Sequence, residues 1–280
     1  MKVCYLTPGG SVHDETWLSE LRKYFEVVTP TLLDPRIRAD IVQAGPLYDY
    51  GPKGVWYATE TGAKFVAMSW GYDVLEPRSD RVLSMVLEDS HIALSDSNVV
   101  TERLKSLGAR RVHQIPWGVD LEKFTPAPIE SGAFFLATRK RGWEMVERAI
   151  ELAAPALDFA CEFELHQHHA HDDMPRSYRG ANFYICGSPS DGSSVSLLEA
   201  MACGLPVIVY DSPGNREWVT AENGWLCDSV DSFAQAIIEA ARMSPTERKR
   251  MGEANRAVVE QRADWHRNFE KLVEVYHGFE

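Results

Sequence analysis

Two carboxylates stand eight residues apart in the stretch SPSDGSSVSLLEAMACGLPVIVY: Asp191 in a Gly/Ser loop, and Glu199 near the start of a predicted helix. Between them, Gly192-Ser193-Ser194-Val195-Ser196 leads several backbone N–H groups to the helix N-terminus. First-turn N–H groups have no intrahelical acceptor, and the helix dipole there favours an anion. A phosphate held at that turn, with an acid on either side accepting hydrogen bonds from vicinal hydroxyls, is the chemistry of a nucleotide sugar. The same letters also fit ordinary chain punctuation. Ser196-Leu-Leu-Glu199 has the form of a capping box, Gly204 of a helix stop, and Pro206 of the break just beyond it. The local pattern leaves both readings open.

Three other groups of residues carry chemistry. Arg139-Lys140-Arg141 follows the apolar run AFFLAT and precedes Gly142. Three adjacent cations in an acidic surrounding suit an anion, with a solvated turn as the alternative. HQHHAHDD, His166 to Asp173, has the look of a metal site, because alternate histidines on a strand share a face and two aspartates follow. Cys4, Cys161, Cys186, Cys203 and Cys227 form an odd set without a CxxC pair, and most lie in or beside apolar stretches. Buried thiols are expected, not disulfides or zinc ligands. No Ser-His-Asp, Cys-His or paired-carboxylate hydrolase set is evident.

The elements that must position these residues are read from periodicity. Strand-length apolar runs at 2–6, 27–30, 40–43, 65–69, 91–94 and 112–116 alternate with helical patterns at 13–25, 79–89 and 99–107. After VDLEKFTPAPIESG, a Pro-rich linker or irregular crossing, a second series follows. Its strands are 133–138, 159–165, 182–186 and 207–210, and its helices 142–153, 196–202, 231–243 and 245–261. Alternating strands and helices imply parallel sheets, so the fold class is α/β with two Rossmann-like domains. Ligands of such sheets bind at the carboxyl ends of the strands, here expected in a cleft between the domains.

The chain has 280 residues, of which 45% are hydrophobic and 25% charged, with a net charge of −12. That charge excludes nucleic acid as the main partner, since such binding rests on phosphate neutralisation by basic groups. Lys and Arg against Asp and Glu number 13 to 15 over residues 1–118 and 16 to 26 beyond them. An anionic ligand must therefore find local cations or backbone dipoles. No apolar run has the length of a membrane span, and MKVCYLTPGG lacks the apolar core of a signal peptide, so a cytoplasmic protein is expected.

LPVIVYDSPGNREWVTAENGWL, MPRSYRGANFYICGSPSDG and RVHQIPWGVDLEKFTP, in that relation to the acid-x7-acid spacing, resemble the retaining glycosyltransferases of the GT-B fold that share this motif, the glycosyltransferase family 4-like group. The resemblance runs from about residue 88 onward and more weakly over 1–75. It implies an acceptor-side domain over 1–118, a nucleotide-sugar-binding domain over 119–262, and a C-terminal helix over 263–280 that crosses back. It places Asp191 on the donor sugar and Glu199 on the nucleotide ribose. The family usually has Glu at the first position, so Asp191 is one methylene short. The amides of Ser194, Val195 and Ser196 fall where the family cradles the donor diphosphate, and Arg139 and Arg141 match its two cations. Gly9 and Gly10 match an N-terminal glycine loop that approaches the same phosphate. Trp70, Tyr72 and Asp73 occupy a family loop facing the reacting centre, without its histidine.

The implied reaction is transfer of a sugar from a nucleotide-diphosphate sugar, UDP-sugar favoured over GDP-sugar, to the hydroxyl of a sugar or glycoconjugate acceptor. Neither metal nor cofactor is expected, because cations and dipoles serve instead. The His166–Asp173 segment stands where the family has a helix and strand framing the base, which suggests a lining of a shortened nucleotide pocket. The alternative is a catalytically degenerate nucleotide-sugar-binding protein of the same fold. Peripheral membrane association is compatible with the resemblance; a membrane span is not expected.

Overall fold

In the computed structural model the described residues are 1–30, 33–128, 132–157, 161–166, 171–189 and 192–279. They divide into two compact units, one of residues 1–116 with the segment from Arg267 onward, the other of residues 117–266.

In the first unit the chain order is β1 (Lys2–Leu6), α1 (Val12–Tyr24), β2 (Glu26–Val28), β3 (Ile41–Ala44), α2 (Leu47–Thr61), β4 (Lys64–Met68), α3 (Tyr72–Leu75), α4 (Asp80–Glu88), β5 (Ile92–Ser95), α5 (Asn98–Ser106) and β6 (Val112–Gln114). The strands pair in parallel in the order β2-β1-β3-β4-β5-β6. Every residue of β3 and β5 is buried, as a parallel sheet covered on both faces requires. That two-sided burial is why the strands show as unbroken apolar runs.

Periodicity alone gives no helix between the strands read at 40–43 and 65–69, yet α2 fills that interval with 15 residues. Gly51, Pro52 and Gly54 lie inside it and argue against a helix on propensity. Packing overrides them. A Cβ on Gly51 would come 2.6 Å from a methyl of Val86 on α4, and one on Gly54 would overlap the ring of Phe65 on β4. The glycines let α2 lie close against its neighbours, and the area so buried offsets their entropic cost.

The second unit runs β7 (Phe134–Ala137), α6 (Trp143–Ala153), β8 (Glu162–Leu165), α7 (Met174–Gly180), β9 (Phe183–Cys186), α8 (Val195–Ala202), β10 (Val207–Tyr210), β11 (Gly224–Cys227), α9 (Val230–Ala241) and α10 (Pro245–Arg262). Its sheet is parallel with the order β11-β10-β9-β7-β8. Alternate residues serve two cores. Phe183 and Ile185 join Val146, Phe233 and Ile237 under α6 and α9, while Tyr184 and Cys186 join Tyr178, Leu197 and Leu198 under α7 and α8. The periodic reading lacks α7 and β11, both short and without clear alternation.

Residues 119–128, read as a linker, pack as an irregular segment of this unit. Val119 bridges to Asp264, and Phe124 is buried. Arg256 on α10 donates to the carbonyls of Leu121, Phe124 and Ala202. A Cβ on Gly252 would overlap the carbonyl of Gly204, so α10 has no room for a side chain there, and Gly204 itself takes a left-handed φ of 74° in the turn after α8. The final helix, α11 (Trp265–His277), brings Phe269 edge-on to Trp17 and the Tyr276 hydroxyl to Gln43 of the first unit. Among the described residues no helix is long and apolar enough to cross a membrane.

Candidate functional site

In the second sheet β7 continues to β8 on one side, while β9 lies on the other, so strand order reverses between β7 and β9. Loops leaving two such strands at their carboxyl ends splay apart and leave a crevice, the usual ligand site of an open parallel sheet. The loop after β7 holds Thr138 to Gly142, and the loop after β9 holds Gly187 to Ser194. Both groups singled out by their chemistry, the cations and the small-residue turn, therefore emerge at one switch point.

Two glycines bring the loops together. A Cβ on Gly142 would overlap the carbonyl of Gly187, and one on Gly187 the carbonyl of Gly142. Gly142 is also left-handed, with φ of 76°, and caps the start of α6. With the backbones in contact, the Arg139 guanidinium reaches across and donates from Nη1 to Ser194 Oγ at 3.1 Å. Ser194 is the N-cap residue of α8 and makes no side-chain cap bond to the helix, whereas Ser11, Ser97, Ser229 and Ser244 each cap their own helices. Arg141 stands exposed on the same turn as Arg139.

Beneath the turn lies a hydroxyl network. Tyr184 donates to Ser196 Oγ at 3.0 Å, Ser194 and Ser196 hydroxyls are 3.2 Å apart, and Trp218 Nε1 donates to Ser193 at 3.2 Å. Burial pushes the Tyr184 phenol well above its ordinary range, so it stays a donor. The Ser188 hydroxyl is buried and has no hydrogen-bond partner among the described residues.

The capping box expected from Ser196 and Glu199 does not form. Helix α8 begins two residues earlier than that reading needs, with Ser194 as cap, which puts Glu199 in the second turn. Its carboxylate points inward and is 6% exposed. Oε1 is 2.7 Å from His171 Nε2, and Oε2 accepts from the Tyr178 hydroxyl at 3.1 Å. His171 belongs to the histidine-rich segment that stands out in the sequence, whereas Tyr178 joins the site without any local signal; only α7, placed by the sheet, brings Tyr178 there. Asp191 lies outside the described residues, as do Gln167 to Ala170 of the histidine-rich segment. His166 pairs with Glu164 at 2.6 Å and with Ser177 at 3.0 Å. Among the described residues no group of three or more His, Cys, Asp or Glu side chains is placed to hold a metal.

The remaining expected residues belong to the first unit. Gly9 and Gly10 follow β1, which sits at the corresponding switch point between β2 and β3. Both have φ of 74°, and an added Cβ at either would meet nothing within 4 Å. Trp70 and Tyr72 are half-buried. Asp73, beside them, is fully buried. It accepts from the backbone N–H of Leu47, the first residue of α2, at 2.5 Å, from Trp70 N–H at 2.9 Å and from Ser69 Oγ at 3.0 Å. Desolvation raises its pKa to about 6, against the downward pull of those donors.

Residues 144–258 match the family model described as glycosyl transferases group 1. The matched residues all lie in the second unit. The chain is similar to the GDP-mannose-dependent monoacylated alpha-(1-6)-phosphatidylinositol monomannoside mannosyltransferase of Corynebacterium glutamicum, 36% identical over 104 residues. That match covers 36% of this chain and 26% of the relative. It is also similar to the D-inositol 3-phosphate glycosyltransferase of Xylanimonas cellulosilytica, 25% identical over 258 residues, 73% of this chain and 61% of the relative. The chain thus spans less than two thirds of these relatives. Among solved structures, Anabaena HepE in complex with UDP and glucose superposes with a TM-score of 0.79 at 14% identity, covering 99% of this chain and 100% of that one. Sucrose-phosphate synthase from Thermosynechococcus elongatus gives 0.75 at 15% identity, over 99% and 98%. The two parallel sheets with their flanking helices have the GT-B fold of these structures.

Proposed function

We propose that this chain is a retaining glycosyltransferase that moves a sugar from a nucleotide-diphosphate sugar to an acceptor hydroxyl without a metal. The observation that carries the reading is the Arg139 guanidinium bonded to the cap residue of α8, across the switch point between β7 and β9. A diphosphate at this turn meets first-turn N–H groups, the positive end of the helix dipole and guanidinium charge together. Arg139, Arg141 and the amides of Ser194, Val195 and Ser196 hold it; Glu199 holds the ribose, and Asp191 the donor sugar. Gly9 and Gly10 leave backbone open to a phosphate. UDP is favoured as the nucleotide because HepE was solved with UDP and with UDP-glucose. The corynebacterial relative, named for GDP-mannose, makes GDP the competitor to test.

In the reaction, the bond from the anomeric carbon to the β-phosphate oxygen breaks and the bond to the acceptor oxygen forms on the same face. The acceptor proton passes to the leaving phosphate. Negative charge grows on that phosphate, where Arg139, Arg141 and the α8 dipole stabilise it, and a preorganised donor of this kind is worth about 10²–10³ in kcat. No side-chain base is needed, which suits a site whose carboxylates are binding groups.

A thermal-shift panel of UDP-, GDP- and ADP-sugars tests the reading, with release of free nucleoside diphosphate as the activity readout. One donor stabilises the wild type, and Arg139→Ala and Glu199→Ala each abolish the shift. Failure of every nucleotide to shift the wild type overturns it; a shift without turnover supports the binding-protein alternative.

A further inference from the structure

Glu199 is an unusual carboxylate for its depth. It is 5% exposed, yet among the described residues it accepts two hydrogen bonds, from His171 and from Tyr178. Two carboxylate oxygens offer about four acceptor positions, and a buried one left half-filled is costly. The two partners differ in kind. Tyr178 comes from the fully buried face of α7 and is a fixed part of the core, with its phenol held protonated by burial and by the Glu199 charge. His171 stands on a turn ahead of α7, and its side chain is 30% exposed. Among the described residues its other contacts are the Met174 N–H, which donates to its carbonyl at 3.3 Å, the Phe124 ring at 5.7 Å, and the neighbouring Asp172, whose carboxylate meets Lys123 at 2.7 Å and is 92% exposed. A solvent-facing ion pair of that kind fixes little.

We propose that His171 is a displaceable stand-in for the donor ribose, holding Glu199 Oε1 and yielding it to a ribose hydroxyl when the nucleotide binds. The inference rests on the donor reading above, in which Glu199 takes the ribose. Tyr178 keeps Oε2 throughout and so fixes the orientation of the carboxylate. His171 then sets donor affinity: each bound ribose replaces an existing bond to Glu199 in place of making a wholly new one. The effect is confined to nucleotides that carry ribose hydroxyls, because a sugar without them has nothing to exchange.

Isothermal titration of UDP and of 2′,3′-dideoxyuridine diphosphate into wild type, His171→Ala and His171→Gln tests this. His171→Ala binds UDP about fivefold more tightly than wild type, the net worth of one hydrogen bond exchanged against water. It binds the dideoxy analogue within about twofold of wild type, the range expected when no bond is exchanged. His171→Gln, which keeps a donor, returns towards wild-type UDP affinity, and thermal unfolding confirms that both variants fold. Unchanged UDP affinity in His171→Ala overturns the proposal. So does a loss for both nucleotides, or an equal gain for both, which marks a steric or structural role. If wild type binds UDP, these outcomes bear on His171 alone. If neither wild type nor His171→Ala binds UDP, GDP or ADP, the donor reading fails and this inference with it.

Discussion

The carboxyl edges of the two sheets solve opposite electrostatic problems. In the first unit, buried carboxylates are filled by their own chain. Asp14 takes the hydroxyls of Tyr5, Thr7 and Ser11, and Asp73 takes two backbone N–H groups and Ser69. In the second unit, Glu199 is as deep but has two partners, one of them on an exposed turn. The cations differ too: Arg139 bonds to the turn before α8, whereas the glycine loop after β1 has open space before it. A carboxylate saturated by neighbouring chain is a structural cap; one left short of donors is suited to a ligand.

Glycine substitution sets the two edges against each other most sharply. Gly142→Ala places a methyl against the backbone of Gly187, which cannot yield, in a left-handed conformation. A loss of about 3–5 kcal/mol is expected by chemical denaturation, together with nucleotide binding. Gly9→Ala has the same positive φ but open space, and should cost only about 1 kcal/mol. A comparable loss at both positions would erase the distinction.

Next in size is a pH effect in the first unit. Burial raises Asp73 from an ordinary 3.8 to about 6 in the folded chain, so the folded state holds the proton more tightly than the unfolded one. The stability that this group contributes is therefore full below about pH 4 and is lost as pH rises through about 6, by up to ~3 kcal/mol for a shift of this size. Asp73→Asn removes that slope between pH 4 and pH 7, measured by urea unfolding of both proteins; equal slopes would refute it. The smallest effect separates Glu199 from the caps. Glu199→Gln is expected to change unfolding stability by about 1 kcal/mol or less while nucleotide binding is lost. A large stability loss would class Glu199 with Asp14 and Asp73.

The sheets were legible because both faces are buried, so β9 and β10 appear as runs of FYIC and VIVY. Helix α2 was hidden by Gly51, Pro52 and Gly54, whose presence makes sense only once Val86 and Phe65 are seen beside them. The cations and the turn of the site stand out in sequence, but their meeting depends on strand order and on the Gly142–Gly187 contact. Glu199 shows the limit best. A two-residue difference in where α8 begins decides whether its carboxylate turns back to cap the helix or inward to Tyr178, and short-range spacing does not carry that difference.

The grip of Arg256 on Leu121, Phe124 and Ala202 has a consequence for biogenesis. Those carbonyls leave the ribosome more than fifty residues before the guanidinium that engages them. During translation the second unit must therefore wait with its opening segment and the end of α8 unclasped, a long interval for a parallel sheet whose apolar faces invite misassociation. Completion of α10 is the step that locks it, and nascent chains arrested short of residue 256 should be the ones most in need of a chaperone.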